Sequence, residues 1–338
     1  MTKEEGNTQR PMTNKDRMIK DRRLRANPVV FIVGCPRSGT TLLRRIVSAH
    51  PEIVITPEAH WIPVWFEQRK GLTPDGFVTG ELVTELLAHN KFGLFGLGSE
   101  ALTSLIGSGQ PLSYASFVTA IFDLYGEAHG KKAVGNKTPD SARRMGTLHV
   151  LWPEARFVHL IRDGRDVALS LMNWPNVRTK KPGTFPTWKD DPVSTAALWW
   201  ELNVRRGREA GQLLGPELYK ELRYESLVAH PDQECATLCE FLGLEYDEAM
   251  LRYHEAFRPA ADSEVHDRQP ITSGLRNWRV QMSTSDVERF EATVGPLLDE
   301  LGYPRAFTRP HPVAVEHSMQ VRNLLANVPR GVRPYGLV

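Results

Sequence analysis

The stretch VVFIVGCPRSGTTLL, residues 29–43, constrains this chain more than any other segment. Val29 to Val33 is an unbroken run of β-branched residues plus Phe31, bounded by Pro28 and Gly34. Such a run suits a strand buried on both faces of a parallel sheet. From Thr40, Leu42, Leu43, Ile46 and Val47 recur at helical spacing. A strand, a Gly/Pro/Ser turn and a helix start make a phosphate cradle, because backbone N–H groups converge there and the helix dipole favours an anion. The pattern GxxxxGK[ST] fits from Gly34 through Gly39 to Thr41, except that Thr40 stands where the lysine belongs. The positive charge sits inside the loop instead, at Arg37. Ser38, Thr40 and Thr41 add hydroxyl donors, and Gly39 lets the backbone approach a ligand. In nucleotide hydrolases that lysine reaches the β/γ-phosphates and the hydroxyl binds Mg²⁺. A ligand with a 5′-phosphate and no polyphosphate–Mg²⁺ suits these residues better.

The rest of the chain alternates strands and helices. Ile53–Thr56, Lys132–Asn136, Arg156–Ile161 and Leu218–Arg223 read as further strands; Asp166–Met172, Ser194–Leu213 and Pro231–Leu242 read as helices. Residues 61–130 read as mostly helical. Alternation of this kind predicts an α/β fold, with a central, mostly parallel sheet between helices in a P-loop-type three-layer arrangement. The predicted organisation is a flexible basic arm over 1–27, one α/β domain over 28–303 and an extended tail over 304–338. Segments 61–130 and 174–192 are expected to be ligand-binding insertions. The tail holds five prolines and little periodicity, so it is expected to wrap the surface or a neighbouring subunit, which leaves a homodimer open.

Composition narrows the classes. A net charge of +2 gives no reason to expect nucleic acid as partner. A mean hydropathy of −0.35 and the lack of a long apolar run argue against a membrane span. The N-terminal residues are polar and basic rather than export-like, so the expectation is a cytoplasmic protein. Cys35, Cys235 and Cys239 form no CxxC, and the eleven histidines form no HExxH, so no metal site is expected.

The motif CPRSGTTLL resembles the 5′-phosphosulfate loop of sulfotransferases, which use 3′-phosphoadenosine 5′-phosphosulfate (PAPS). A second signature of that family is a strand ending in Arg-Asp, with a serine eight residues after the arginine. Here it is FVHLIRDGRDVALS, with Arg162 and Ser170 at the matching positions. The resemblance implies that these two grip the 3′-phosphate. Residue reading agrees, since a strand delivers Arg162 to the C-terminal edge where open α/β sheets bind ligands. Arg37 makes the loop more similar to Golgi-type and bacterial carbohydrate, tyrosine or small-molecule sulfotransferases than to the cytosolic aryl type, which carries lysine there.

Glu58 is the first candidate for the base. It follows the second strand in HPEIVITPEAHWIP, similar to a HPxxxxxxE segment of the tyrosylprotein sulfotransferases whose catalytic glutamate it matches. His60 is the rival, read as packing beside Trp61. Lys137, in GNKTP, matches a family lysine at the bridging oxygen and would stabilise the leaving phosphate, as would Arg37. Tyr224 in RYESL resembles a residue near the adenine. Arg276 in SGLRNW occupies a late loop that closes over the donor in relatives, although relatives carry Ser-Lys or Gly-Lys there. Arg165 is read as a phosphate contact or as exposed. The resulting expectation is transfer of a sulfuryl group from PAPS, without metal, to a hydroxyl or amine of a small-molecule, sugar, lipid or tyrosyl acceptor. Trp61, Trp65, Phe66, Trp174, Phe185 and Trp188 are the aromatic supply for that acceptor. The alternatives are a P-loop kinase using ATP–Mg²⁺ and a sensor that binds the nucleotide without turnover.

Overall fold

The computed structural model describes residues 27–107, 110–173, 187–256 and 276–327. Five strands, β1 (Val30–Gly34), β2 (Ile53–Thr56), β3 (Ala133–Lys137), β4 (Arg156–Ile161) and β5 (Tyr219–Arg223), form one sheet. Their order is β2-β3-β1-β4-β5, and all four pairings are parallel. Parallel neighbours need crossovers, and these place helices on both faces. The two faces of β1 show the result. Phe31 and Val33 join Val54, Val134 and Phe157 in one core with Trp61, Phe117 and Ile121. Val30 and Ile32 join Leu43, Ile46, Val158, Leu222 and Leu238 in the other. The three-layer α/β expectation is met.

The helices follow the strands in order. Helix α1 (Thr40–Ala49) leaves the loop; α2 (Trp61–Glu67), α3 (Gly80–Ala88), α4 (Ser99–Ile106) and α5 (Tyr114–Ala128) fill the segment before β3. Then come α6 (Met145–Leu151), α7 (Gly164–Met172), α8 (Pro192–Leu214), α9 (Tyr224–Ala229), α10 (Pro231–Leu242) and α11 (Tyr253–Ala256). The described part ends with α12 (Trp278–Gln281), α13 (Thr284–Glu300) and α14 (Pro312–Ala326). Cys235 and Cys239 are buried on α10, with the Cys239 Sγ 3.4 Å from the Met250 sulfur.

Two expectations need restating. The basic arm, apart from Asn27, and residues 174–186 and 328–338 lie outside the described residues. The tail is not extended throughout, because Pro312–Ala326 is helical. Pro312 sits at the first helical position, where its missing N–H costs nothing, and the His311 side chain caps the Val313 N–H. Val321 and Leu325 then bury against Leu198 of α8, and Arg322 pairs with Glu201 at 2.9 Å. Reading proline as a breaker hid a helix that a proline begins.

The topology fixes where a ligand goes. The chain leaves β1 first toward β2 and β3, then returns to the other side for β4 and β5, which opens a crevice at the C-terminal edge beyond β1. Register pairs Gly34 with Leu160, so the turns after β1 and β4 emerge side by side. The approach is close: a Cβ on Gly34 would lie 2.5 Å from the Leu160 carbonyl oxygen, at a φ of +154°. Gly34→Ala is therefore expected to cost on the order of 2 kcal/mol. Chemical unfolding reads this, and an unchanged midpoint would show that the edge has slack.

Candidate active site

The loop after β1 is built by unusual backbone. Arg37 has a φ of 75° and Gly39 one of 94°. A Cβ on Gly39 would lie 2.5 Å from the Tyr224 ring, so only glycine lets that ring close on the loop. Thr40 and Thr41 open α1 without a side-chain cap, which leaves first-turn N–H groups for a ligand. The Ser38 hydroxyl is fully buried and lacks a hydrogen-bond partner.

The Arg162 motif lies beside it. The Arg37 Nε donates to the Ser170 Oγ at 3.1 Å, so residues far apart in sequence meet. Arg162 lies over the Tyr224 ring at 4.1 Å and stands 3.6 Å from Asp166, and its Nε is buried without a hydrogen-bond partner. The Ser38 hydroxyl and the Arg162 Nε, both buried without a hydrogen-bond partner, are thus donors that an anionic ligand in this crevice could use.

The third group gathers at the end of β3. The Lys137 Nζ donates to Glu58 Oε1 at 2.7 Å and to the Thr41 hydroxyl at 3.5 Å. The other oxygen, Oε2, meets Lys91 Nζ at 2.9 Å and His60 Nε2 at 3.1 Å. Asn136 and Thr138 hold the turn: Asn136 donates to the Thr56 hydroxyl and the Pro57 carbonyl, and Thr138 accepts the Ala59 N–H. The carboxylate is thus fixed between β2 and β3 and linked through Lys137 to the phosphate loop.

A family model described as "Sulfotransferase family" matches residues 28–248. The chain belongs to the sulfotransferase family. It is 24% identical over 317 residues to protein-tyrosine sulfotransferase 1 of Danio rerio, covering 87% of this chain and 79% of that one. It is 27% identical over 304 residues to the nodulation protein NoeE of Sinorhizobium fredii, covering 82% of this chain and 66% of that one. Its fold is similar to the sulfotransferase domain of the Synechococcus PCC 7002 olefin synthase, with a TM-score of 0.51 at 23% identity, covering 90% and 96% of the two chains.

Several residues of this sulfotransferase sit elsewhere than expected. Arg165 neither faces phosphate nor is exposed: it is fully buried, bonded to Asp163, Glu291 and the Pro304 carbonyl, and stacked on Trp278. Asp163 therefore pairs with Arg165, not with Arg162. His60 sits on the Glu58 carboxylate rather than packing beside Trp61. Trp61 and Trp65 are core residues, and Phe66 packs against Tyr114. Trp188 packs against the Trp200 core, while Trp174 and Phe185 lie outside the described residues. Arg276 precedes α12 by two residues and shows no hydrogen bond or ion pair among the described residues.

The sequence reading missed Lys91. It lies far along the chain from Glu58 and carries no motif. Its place is set by Phe92 and Phe95, buried in the aromatic cluster that also holds Trp61. Glu225 was missed as well. It accepts the Asp163 N–H at 2.8 Å and the Tyr303 hydroxyl at 3.0 Å, tying the β4 turn to β5.

Charge decides the state of Glu58. Burial alone would raise its pKa, but the His60 hydrogen bond and the Lys137 and Lys91 ammoniums together hold it well below the usual carboxylate range. Burial pulls Lys137 down, and Glu58 opposes that shift. A depressed carboxylate stabilises the fold above its unfolded value, about 4.3, and that contribution is lost as pH falls through the lower folded value. Glu58→Gln leaves Lys137 buried without its counter-charge and is expected to cost on the order of 2 kcal/mol at pH 7. The gap from wild type should narrow below about pH 4. Unfolding midpoints across pH test this; a gap that stays constant would show that the pair carries no such coupling.

Proposed function

We propose that this sulfotransferase takes the sulfuryl group from PAPS and delivers it to an acceptor hydroxyl. The observation that carries the reading is the line from Glu58 through Lys137 to Thr41, which joins a candidate base to the phosphate loop. PAPS supplies the activated sulfuryl group when bound. The loop N–H groups with Arg37, Ser38, Gly39, Thr40 and Thr41 would hold its 5′ end, and Arg162 and Ser170 its 3′-phosphate. Tyr224 would flank the adenine, and Arg276, two residues before α12, is the candidate on the loop expected to close over the donor.

In the transfer, a bond forms from the acceptor oxygen to sulfur as the bond from sulfur to the phosphate oxygen breaks. The electron pair of the broken bond stays on the phosphate, where Lys137 and the loop donors stabilise it. The acceptor proton goes to Glu58. A carboxylate of such low basicity takes that proton late, once bonding to sulfur has made the hydroxyl acidic. The products are a sulfate ester, 3′,5′-adenosine diphosphate (PAP) and a proton.

The acceptor hydroxyl belongs to a sugar, a lipid, a small phenol or a tyrosyl residue. The name of the relative from Danio rerio is compatible with the last, and the partly exposed groups on the carboxylate, His60 and Lys91, make that side of Glu58 polar. An ATP-dependent kinase is less favoured because Thr40 replaces the loop lysine.

The test has two arms. With EDTA present, PAP at a hundredfold excess over its Kd is expected to stabilise the protein by about 2.7 kcal/mol. Stabilisation by ATP–Mg²⁺ alone would overturn the donor assignment. Glu58→Gln is expected to lower kcat about a thousandfold with PAP affinity retained. Transfer of labelled sulfate at the wild-type rate would remove Glu58 as base.

A further inference from the structure

Arg162 is flanked by two aspartates that could each neutralise it. Asp163 follows it directly, and Asp166 lies one helical turn on, with Oδ2 3.6 Å from the Arg162 Nη2. A carboxylate gripping the guanidinium with both oxygens would occupy the fork that a phosphate needs. The structure shows what prevents this. The Trp278 backbone N–H donates to Asp166 Oδ1 at 2.9 Å, and its indole Nε1–H donates to Asp163 Oδ2 at 3.1 Å. Arg165 takes both oxygens of Asp163, at 3.0 and 2.7 Å. The guanidiniums of Arg165 and Arg279 both pack on the indole, 3.7 and 4.4 Å from its ring centroid. One residue of α12 thus engages both aspartates that border Arg162.

We propose that Trp278 is a positioning residue for the 3′-phosphate site, keeping Asp163 off Arg162 and keeping Asp166 from gripping Arg162 with both oxygens. This rests on the reading of Arg162 as the 3′-phosphate ligand. Arg162 then keeps its stacked pose on Tyr224 with its Nε unspent, and a ligand has only the single 3.6 Å contact of Asp166 Oδ2 to displace. The effect concerns the 3′-phosphate alone, because the loop after β1 makes no hydrogen bond to Trp278 among the described residues.

The test compares PAP with 5′-AMP, which lacks the 3′-phosphate, by calorimetric titration of the full chain. Wild type is expected to bind PAP far more tightly than AMP. Trp278→Ala is expected to weaken PAP about tenfold, the scale of a lost charge-assisted hydrogen bond, with AMP affinity within about twofold of wild type. Trp278→Ala keeps the backbone N–H but removes the indole that anchors α12 against Asp163 and Arg165, and so releases Asp166. Adding Asp166→Asn to Trp278→Ala should restore PAP affinity, since the competing carboxylate is then gone. Trp278→Phe, which removes the indole N–H and keeps a smaller aromatic ring, keeps the question open to measurement should the alanine variant fail to fold; it should lose part of the same preference. Equal weakening of PAP and AMP, or full retention of the preference in both Trp278 variants, would overturn the proposal. A wild-type protein that binds the two nucleotides equally would instead overturn the assignment of Arg162, and this inference with it.

Discussion

The parallel pairing of β1 with β4 is the constraint on which the site depends. It sets Gly34 opposite Leu160 at a distance that excludes a side chain, so the chain segments leaving both strands start from one point. The loop with Arg37 and the turn with Arg162 then share one crevice, and Arg37 touches Ser170 across it. Nothing in the loop alone would produce that contact. β3, on the other side of β1, delivers Lys137 to the same edge.

A second constraint is electrostatic. Three basic side chains converge on the one carboxylate of Glu58. The arrangement keeps the half-buried carboxylate ionised, and that carboxylate in turn opposes the pull of burial on the Lys137 ammonium. Each group makes the other's burial tolerable, the condition under which ion pairs persist away from water. Activity and local order are therefore linked at this point, and a change made for one is felt in the other.

The fold was legible because its signals are local. Val30 to Val33 are apolar on both faces of a strand, and the glycine-bounded turn with three hydroxyls admits few readings. Glu58, Lys137, Arg162 and Ser170 could be named because they match family motifs, and the strands set their places: Glu58 follows β2, Lys137 ends β3, Arg162 follows β4 and Ser170 lies within α7. What stayed hidden depends on side chains meeting across the chain. Arg165 looked like one more basic residue in an RDGRD turn; only Glu291 and Trp278, more than a hundred residues on, explain its burial. Lys91 had no motif because its position is set by Phe92 and Phe95 in an aromatic core. The C-terminal helix was masked by prolines whose positions, not their number, carried the information.

Lys91 also bears on how this fold can diversify. On the proposed function, the helical segment between β2 and β3, which also covers one face of the sheet, is the part that meets the acceptor. That segment also sends a lysine to the proposed base, Glu58. Replacing the segment wholesale would change the charge on Glu58 together with the acceptor surface, so recognition and reactivity are inherited as one unit. A graft that ignored position 91 would carry a new acceptor surface to a carboxylate of altered basicity.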